Sequence, residues 1–434
     1  MKKEFCIFFC WFLCVSFAQE SNSNLENNLS DKENFITYFN QSYIDLAKNI
    51  LPNYQGEVKR QLKESLEDYR KNFIQEIEEN RFTFDSRFLD LANDILDELK
   101  QKNRLIPEDL KIIISKQTVL NAYCLPNGTL VLNMGLFYWL ENEDQLAAII
   151  AHEVAHKVLE HGIKSQVKYI EDNYSDKNKK IVKNIARDPT KKSEKAFKLF
   201  KSQLYSNAKT RQQYEYEADS LSFEFIKNSK FDGSQITSSM RLSIRYDTIN
   251  PIGLENKIYK ELFDLPMLPF KEKWLQMEDF SQYNYDLYKE KINKDSVLSH
   301  PEMVLRIKKL ENEHPSLAGS TFKPASFGFK KLEKLAEINI VPNLIDLENY
   351  GYAIYICLLN IQKGNEIDYY KVWLGKSFNL VYQARKNYNL NRYLDRIDPK
   401  NHSESYQQFL NFMWNLKLDE YKIIAEYFST NSKQ

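Results

Sequence analysis

Three side chains able to ligate a metal or move a proton fall within five positions: His152, Glu153 and His156, in the run Ala151-His152-Glu153-Val154-Ala155-His156. On an α-helix residues four apart share a face. Both imidazoles therefore point to one place and can hold one metal ion. Glu153, beside His152, lies where a carboxylate can take a proton from a water at that ion. Leu146, Ala147, Ile149, Ile150, Val154 and Val158 surround the motif. A buried helix is expected, and buried imidazoles and carboxylates need polar partners. Because an H-E-x-x-H pattern also arises by chance, the third ligand decides between metal chemistry and an ordinary helix.

The elongated form of this motif places Gly three residues, and His six residues, after the second His. Leu159 and Gly162 stand there instead. The other common solution is a Glu from a second helix. The segment Arg211 to Asp219 reads R-Q-Q-Y-E-Y-E-A-D. Its Glu215 and Asp219 are four apart, so Glu215 can complete a zinc sphere while Asp219 accepts the outer N–H of a ligand His. Glu217 lies on another face and is the weaker ligand candidate. The competing account of Glu215 is a surface charge paired with Arg211. His161, five after His156, is off the ligand face. It is expected to meet the helix dipole at the C-terminus rather than to bind metal.

Taken together and in order, His152–His156, the Glu215-Tyr216-Glu217-Ala218-Asp219 segment, and Ser299-His300-Pro301 followed by Arg306 resemble the M48 family of zinc metallopeptidases. Asn121-Ala122-Tyr123 with its hairpin, and Gly135-Leu136 before the zinc helix, fit the same pattern. The resemblance covers about residues 85–312 and is to the soluble secreted branch, similar to periplasmic members that handle outer-membrane protein quality control. It implies one catalytic zinc per chain, endopeptidase activity on polypeptides, and a compact gluzincin-like fold with a small sheet beside the zinc helix. In some relatives a helical-repeat module binds partners, which makes an envelope protein the expected partner of the C-terminal helices. His300 is a second candidate catalytic residue: it can stabilise an oxyanion or occupy a fourth zinc position, the alternative being a helix cap. Arg306 is expected to pair with a carboxylate near the site, Asp219.

These residues need elements to place them. Apolar spacing predicts helices between Phe35 and Lys100, with breaks at Pro52 and over Asn80 to Asp85. Ile112 to Ile114 is a β-branched run, and Val119 to Cys124 and Thr129 to Leu132 flank Pro126-Asn127-Gly128, a hairpin signal. A small antiparallel sheet is expected, with either hairpin strand as the edge along which a peptide, held by Asn121, Ala122 and Tyr123, would lie. Asn142 to Gly162 reads as the zinc helix, with acids at its start and Gly at its end. Residues 164 to about 210 are Lys-rich and read as a solvated helix pair, or else as a lid or docking face. Beyond a Gly/Ser/Pro-richer stretch at 316–327, amphipathic helices follow. The class is therefore α+β, predominantly helical, with an N-terminal helical segment over 19–84, a peptidase domain over 85–315 and a C-terminal helical region over 328–434.

Lys+Arg and Asp+Glu both number 60, so no net field favours nucleic acid. Lys2 and Lys3, the apolar run Phe5 to Phe17 and Ser16-Phe17-Ala18 read as a cleavable signal peptide over 1–18. The run is shorter than the roughly 20 residues that span a bilayer. Bulky residues before Cys14 argue against a lipoprotein. The expected location is periplasmic, with no membrane span in the mature chain. Cys6, Cys10 and Cys14 leave with the leader, so Cys124 and Cys357 read as small apolar residues rather than a disulfide framework. Two further readings compete with the endopeptidase: a client-binding chaperone or scaffold that keeps the fold, and a zinc hydrolase of another substrate. An intact Glu153 separates the first of these, since a pure binder has no use for it.

Overall fold

The computed structural model describes residues 25–26, 28–174, 179–181, 183, 192–248, 253–277, 303–319, 322–399 and 402–431, with 192–206, 247–248 and 431 as backbone alone. The signal-peptide segment 1–18 and His300 lie outside these residues, as does the middle of the Lys-rich stretch.

Two N-terminal helices, α1 (Leu29–Ile50) and α2 (Gly56–Glu78), lead through β1 (Phe82–Thr83) to α3 (Ser86–Lys102). There follow β2 (Lys111–Ser115), β3 (Ala122–Cys124), β4 (Thr129–Asn133) and α4 (Gly135–Trp139). Next come α5 (Glu143–Val158), α6 (His161–Tyr174), α7 (Lys192–Lys227), α8 (Ser234–Thr248), α9 (Asn256–Phe263) and α10 (Met303–Glu313). The C-terminal part holds α11 (Phe327–Ile338), α12 (Ile340–Asp346), α13 (Tyr350–Lys363), α14 (Ile367–Lys386), α15 (Glu404–Asn415) and α16 (Leu418–Asn431).

The sheet order is β1-β2-β4-β3. It is mixed rather than antiparallel, because β2 and β4 pair in parallel, Lys111 opposite Thr129 through Ser115 opposite Asn133. The physical reason is the path: the chain runs along β2, returns along β3 and reverses again into β4, which then slots between them. The local hairpin signal sees only the antiparallel β3–β4 pair, Ala122 opposite Leu132 and Cys124 opposite Leu130. It follows that Thr129 to Leu132 cannot be a peptide-binding edge, because β4 is internal, and that of the two hairpin strands only β3 lies at an edge.

Successive strand residues face opposite ways, and both faces are covered. Ile112, Ile114, Leu130 and Leu132 join α3, α5, α7, α8 and α10 in one apolar cluster. Ile113 and Val131 join α1, α2 and α6 in another. An unbroken Ile-Ile-Ile run is what a strand buried on both faces requires. Helices α12 to α16 form a third cluster that includes Trp274 and Phe263, whereas Phe329, Leu332 and Ala336 of α11 join the first. Residues of α9 and the turn at Glu272–Leu275 belong to that third cluster although they precede α10 in sequence. The Lys363-Gly364-Asn365 turn joins α13 to α14 with Gly364 left-handed at φ +77°, where Gly carries no Cβ penalty.

Gly135 is needed where β4 ends. Its N–H donates to the Gln117 carbonyl at 3.0 Å, and a Cβ there would stand 2.4 Å from the Thr118 oxygen. This close approach pins the segment that leads into the edge strand. Gly135→Ala is expected to destabilise the fold by about 1–3 kcal/mol, measured by urea unfolding; a neutral substitution would show that the segment yields freely.

Glu420 ties α16 to the C-terminal cluster. It is 1% exposed and accepts from Lys271 Nζ at 2.5 Å, Trp274 Nε1 at 3.1 Å and the Lys417 N–H at 2.7 Å. Burial works against its ionised form, but Lys271 and the Lys417 amide outweigh it and hold the carboxyl below its usual range. Its folded pKa is thus below the unfolded value of about 4.3. The stabilisation is full above that pH and is lost as pH falls through the folded value. Glu420→Gln should cost about 1.5–3 kcal/mol near pH 7, with the gap to wild type closing below about pH 4. A pH-independent gap in chemical unfolding would refute the charge assignment.

Candidate active site

The site is built on α5. Asn142 caps this helix by accepting from the Gln145 N–H at 3.0 Å, and Glu143 and Asp144 meet the positive end of its dipole. Leu146, Ala147, Ile150, Ala151, Val154 and Ala155 are buried, which leaves the face with His152, Glu153 and His156 turned toward a cleft of about 570 Å³. Helix α7 packs along α5 and brings Glu215 and Asp219, buried, into the same place.

His152 Nε2 and His156 Nε2 lie 3.0 Å apart, and each lies near a different oxygen of Glu215, at 3.5 and 3.7 Å. Among the described residues this is the one set of three His, Cys, Asp or Glu side chains grouped tightly enough to hold a metal ion. Donors at about 2.0–2.1 Å around a tetrahedral zinc stand about 3.3 Å from one another. The triangle found here has that size, so the residues fit the group. Two ring nitrogens facing each other at 3.0 Å, with a carboxylate across from them, are also the donor types that zinc prefers.

Each side chain is held from behind. His152 Nδ1 stands 3.1 Å from Asp219 Oδ1. Arg306, on α10 and 4% exposed, grips Asp219 with Nε at 2.8 Å and Nη2 at 2.6 Å, and reaches Glu215 Oε2 with Nη1 at 2.9 Å. Burial opposes ionisation of Asp219, yet Arg306 and His152 hold it below the usual carboxylate range. Against the same burial, Asp219 and Glu215 raise His152 to about 10, whereas burial and the neighbouring His152 push His156 down to about 3. Burial pushes Glu153 up to about 7, with Glu215 adding to the rise and a backbone hydrogen bond from Cys124 working against it.

Strand β3 forms one wall of the cleft, with Asn121, Ala122 and Tyr123 along it. Of the residues singled out from sequence, His152, Glu153, His156, Glu215, Asp219, Arg306 and the Asn121–Tyr123 run thus converge on one cleft, while His300 is outside the described residues. Arg211 lines the cleft, and it is Arg306 that pairs with Glu215, at 2.9 Å. Cys124 and Cys357 are free thiols, and burial raises both.

The helix does not run on to Gly162. It ends at Val158 with Leu159 as cap, and Glu160 turns left-handed at φ +57°. His161 then opens α6 rather than closing α5, and its Nδ1 lies 2.9 Å from His156 Nδ1. Sequence reasoning set this residue aside because a continuous helix would carry it about 140° away. A non-glycine residue in the left-handed region gives no signal in the sequence.

Arg306 stands against two buried carboxylates, Asp219 and Glu215. Arg306→Met is expected to cost about 3–5 kcal/mol by stranding them, and Arg306→Lys to recover only part, since an ammonium cannot make the fork. Unfolding curves of the metal-free proteins check this; a stable Met variant would mean that the carboxylates are neutralised otherwise.

The model of peptidase family M48 matches residues 87–314. A mitochondrial metalloendopeptidase, OMA1 of Arabidopsis thaliana, is 33% identical over 51 residues, a stretch covering 12% of this chain and 10% of that relative. Among the described residues no helix is long and apolar enough to cross a membrane. With the family match spanning more than half of the chain, and the His-His-Glu cluster lying inside the matched region, this protein belongs to peptidase family M48.

Proposed function

We propose that the chain is a zinc-dependent endopeptidase in which His152, His156 and Glu215 hold the metal and Glu153 is the general base. The carrying observation is the triangle of two Nε2 atoms and one carboxylate at 3.0–3.7 Å, with Glu153 on the next position of the same helix. Zinc held there supplies a Lewis acid that polarises a scissile carbonyl and acidifies water. Glu153 takes the water's proton and later delivers it to the leaving amine. Burial raises the Glu153 carboxyl, the direction that favours taking up a proton near neutral pH. Asp219 orients His152, and Arg306 holds Asp219 and Glu215 in place.

The substrate reading follows from β3. Asn121, Ala122 and Tyr123 present a short sheet edge beside the cleft, so a polypeptide would bind as an added strand. Only chain that is free to extend can do so, which favours unfolded or misassembled proteins. The N-terminal leader over 1–18 supports export and a periplasmic location. The same proposal takes residues 85–315 as the peptidase domain, 19–84 as helices that cover the sheet, and 328–434 as a helical region that docks an envelope partner. His300 is proposed as a second catalytic residue that stabilises the oxyanion.

Glu153→Gln tests the base. Zinc content should match wild type while cleavage of an unfolded protein falls at least about 100-fold. Equal cleavage by both would overturn the assignment, and loss of zinc with retained fold would place Glu153 among the ligands.

A further inference from the structure

We propose that His161 and Glu217 are positioning residues that orient His156 through a three-member chain, from the metal-facing ring to a second imidazole to a carboxylate. This rests on reading His156 as a ligand. If His156 presents its Nε2 lone pair to the metal, its proton is on Nδ1, and that N–H needs an acceptor. His161 Nδ1, at 2.9 Å, accepts only with its own proton on Nε2. That Nε2 lies 3.0 Å from Glu217 Oε2, which accepts in turn. Every donor in the chain has one acceptor, and only one tautomer of each ring satisfies all of them. His161 is 3% exposed, so neither nitrogen can turn to solvent instead.

The surroundings fix the chain in space. The Tyr214 ring stacks on His161 with centroids 4.1 Å apart and planes at 12°. Gln213 Nε2 donates to Glu217 Oε1 at 3.0 Å, leaving Oε2 for His161. Tyr214, Gln213 and Glu217 all come from α7, the helix that also carries Glu215. The left-handed Glu160 makes the arrangement possible by turning His161 back onto His156. The two imidazoles of the cluster are thus supported differently: His152 faces Asp219 directly, and His156 reaches a carboxylate through a second ring.

The test measures zinc affinity by competition with a chelator, together with the melting temperature of each metal-free protein. His161→Ala should weaken zinc about 10–100-fold. His161→Asn, whose amide oxygen replaces Nδ1 as acceptor, should restore most of the loss. Glu217→Ala, at a side chain 42% exposed, should weaken zinc with little change in metal-free melting. The double variant His161→Ala/Glu217→Ala should be no weaker than His161→Ala alone, because the two act as one chain. Zinc affinity within twofold of wild type in both single variants, or additive losses in the double, would overturn the proposal. Should His161→Ala not fold, unchanged affinity in Glu217→Ala overturns it by itself. His152→Ala and His156→Ala are the controls: wild-type affinity there would sink the ligand reading instead.

Discussion

Two carboxylates and two imidazoles share one buried space with a guanidinium behind them. Arg306 reaches Asp219 with two nitrogens and Glu215 with a third. Removing a carboxylate from water costs several kcal/mol unless it is paired and hydrogen-bonded. With the fork in place, Asp219 is held below the usual carboxylate range and faces His152, and Glu215 is fixed beside the two imidazoles. The rest of the cleft follows from this pairing. Helix α7 packs on α5 with these acids between the two helices, and the two Nε2 atoms turn toward the same point.

The three clusters divide the work around that centre. The sheet separates the core that carries the site from the N-terminal helices, using alternate residues of the same short strands for each face. Its position behind α5 keeps β3 at the rim, with the backbone of Cys124 bonded to Glu153. Gly135 draws the segment before β3 against the end of β4, which sets where that rim stands relative to the acid.

Much of this was legible in the sequence, for identifiable reasons. The pairs His152/His156 and Glu215/Asp219 each obey the four-residue spacing of one helical face, so local geometry gives the members of each pair, while their meeting rests on the resemblance of the motifs. Ile112 to Ile114 and the Pro-Asn-Gly turn announce strands and a hairpin. What escaped is long-range or locally silent. The parallel pairing of β2 with β4 depends on where a returning strand docks, which no window of sequence reports. The break at Glu160 has no glycine to mark it, so His161 read as the far side of a longer helix. Arg306 pairs across 87 positions, and its partner was guessed from charge rather than from any periodic signal; that it also holds Glu215 was not foreseen.

That separation of 87 positions bears on how the molecule is made. A nascent chain presents the imidazoles first, the acids of α7 next, and the guanidinium that reconciles them last. Contacts of such span form late, because loop closure must precede their reward. Until α10 docks, Asp219 and Glu215 lack the guanidinium fork. Sequence distance thereby orders the assembly: the cluster is framed on all sides only when α10 reaches α7.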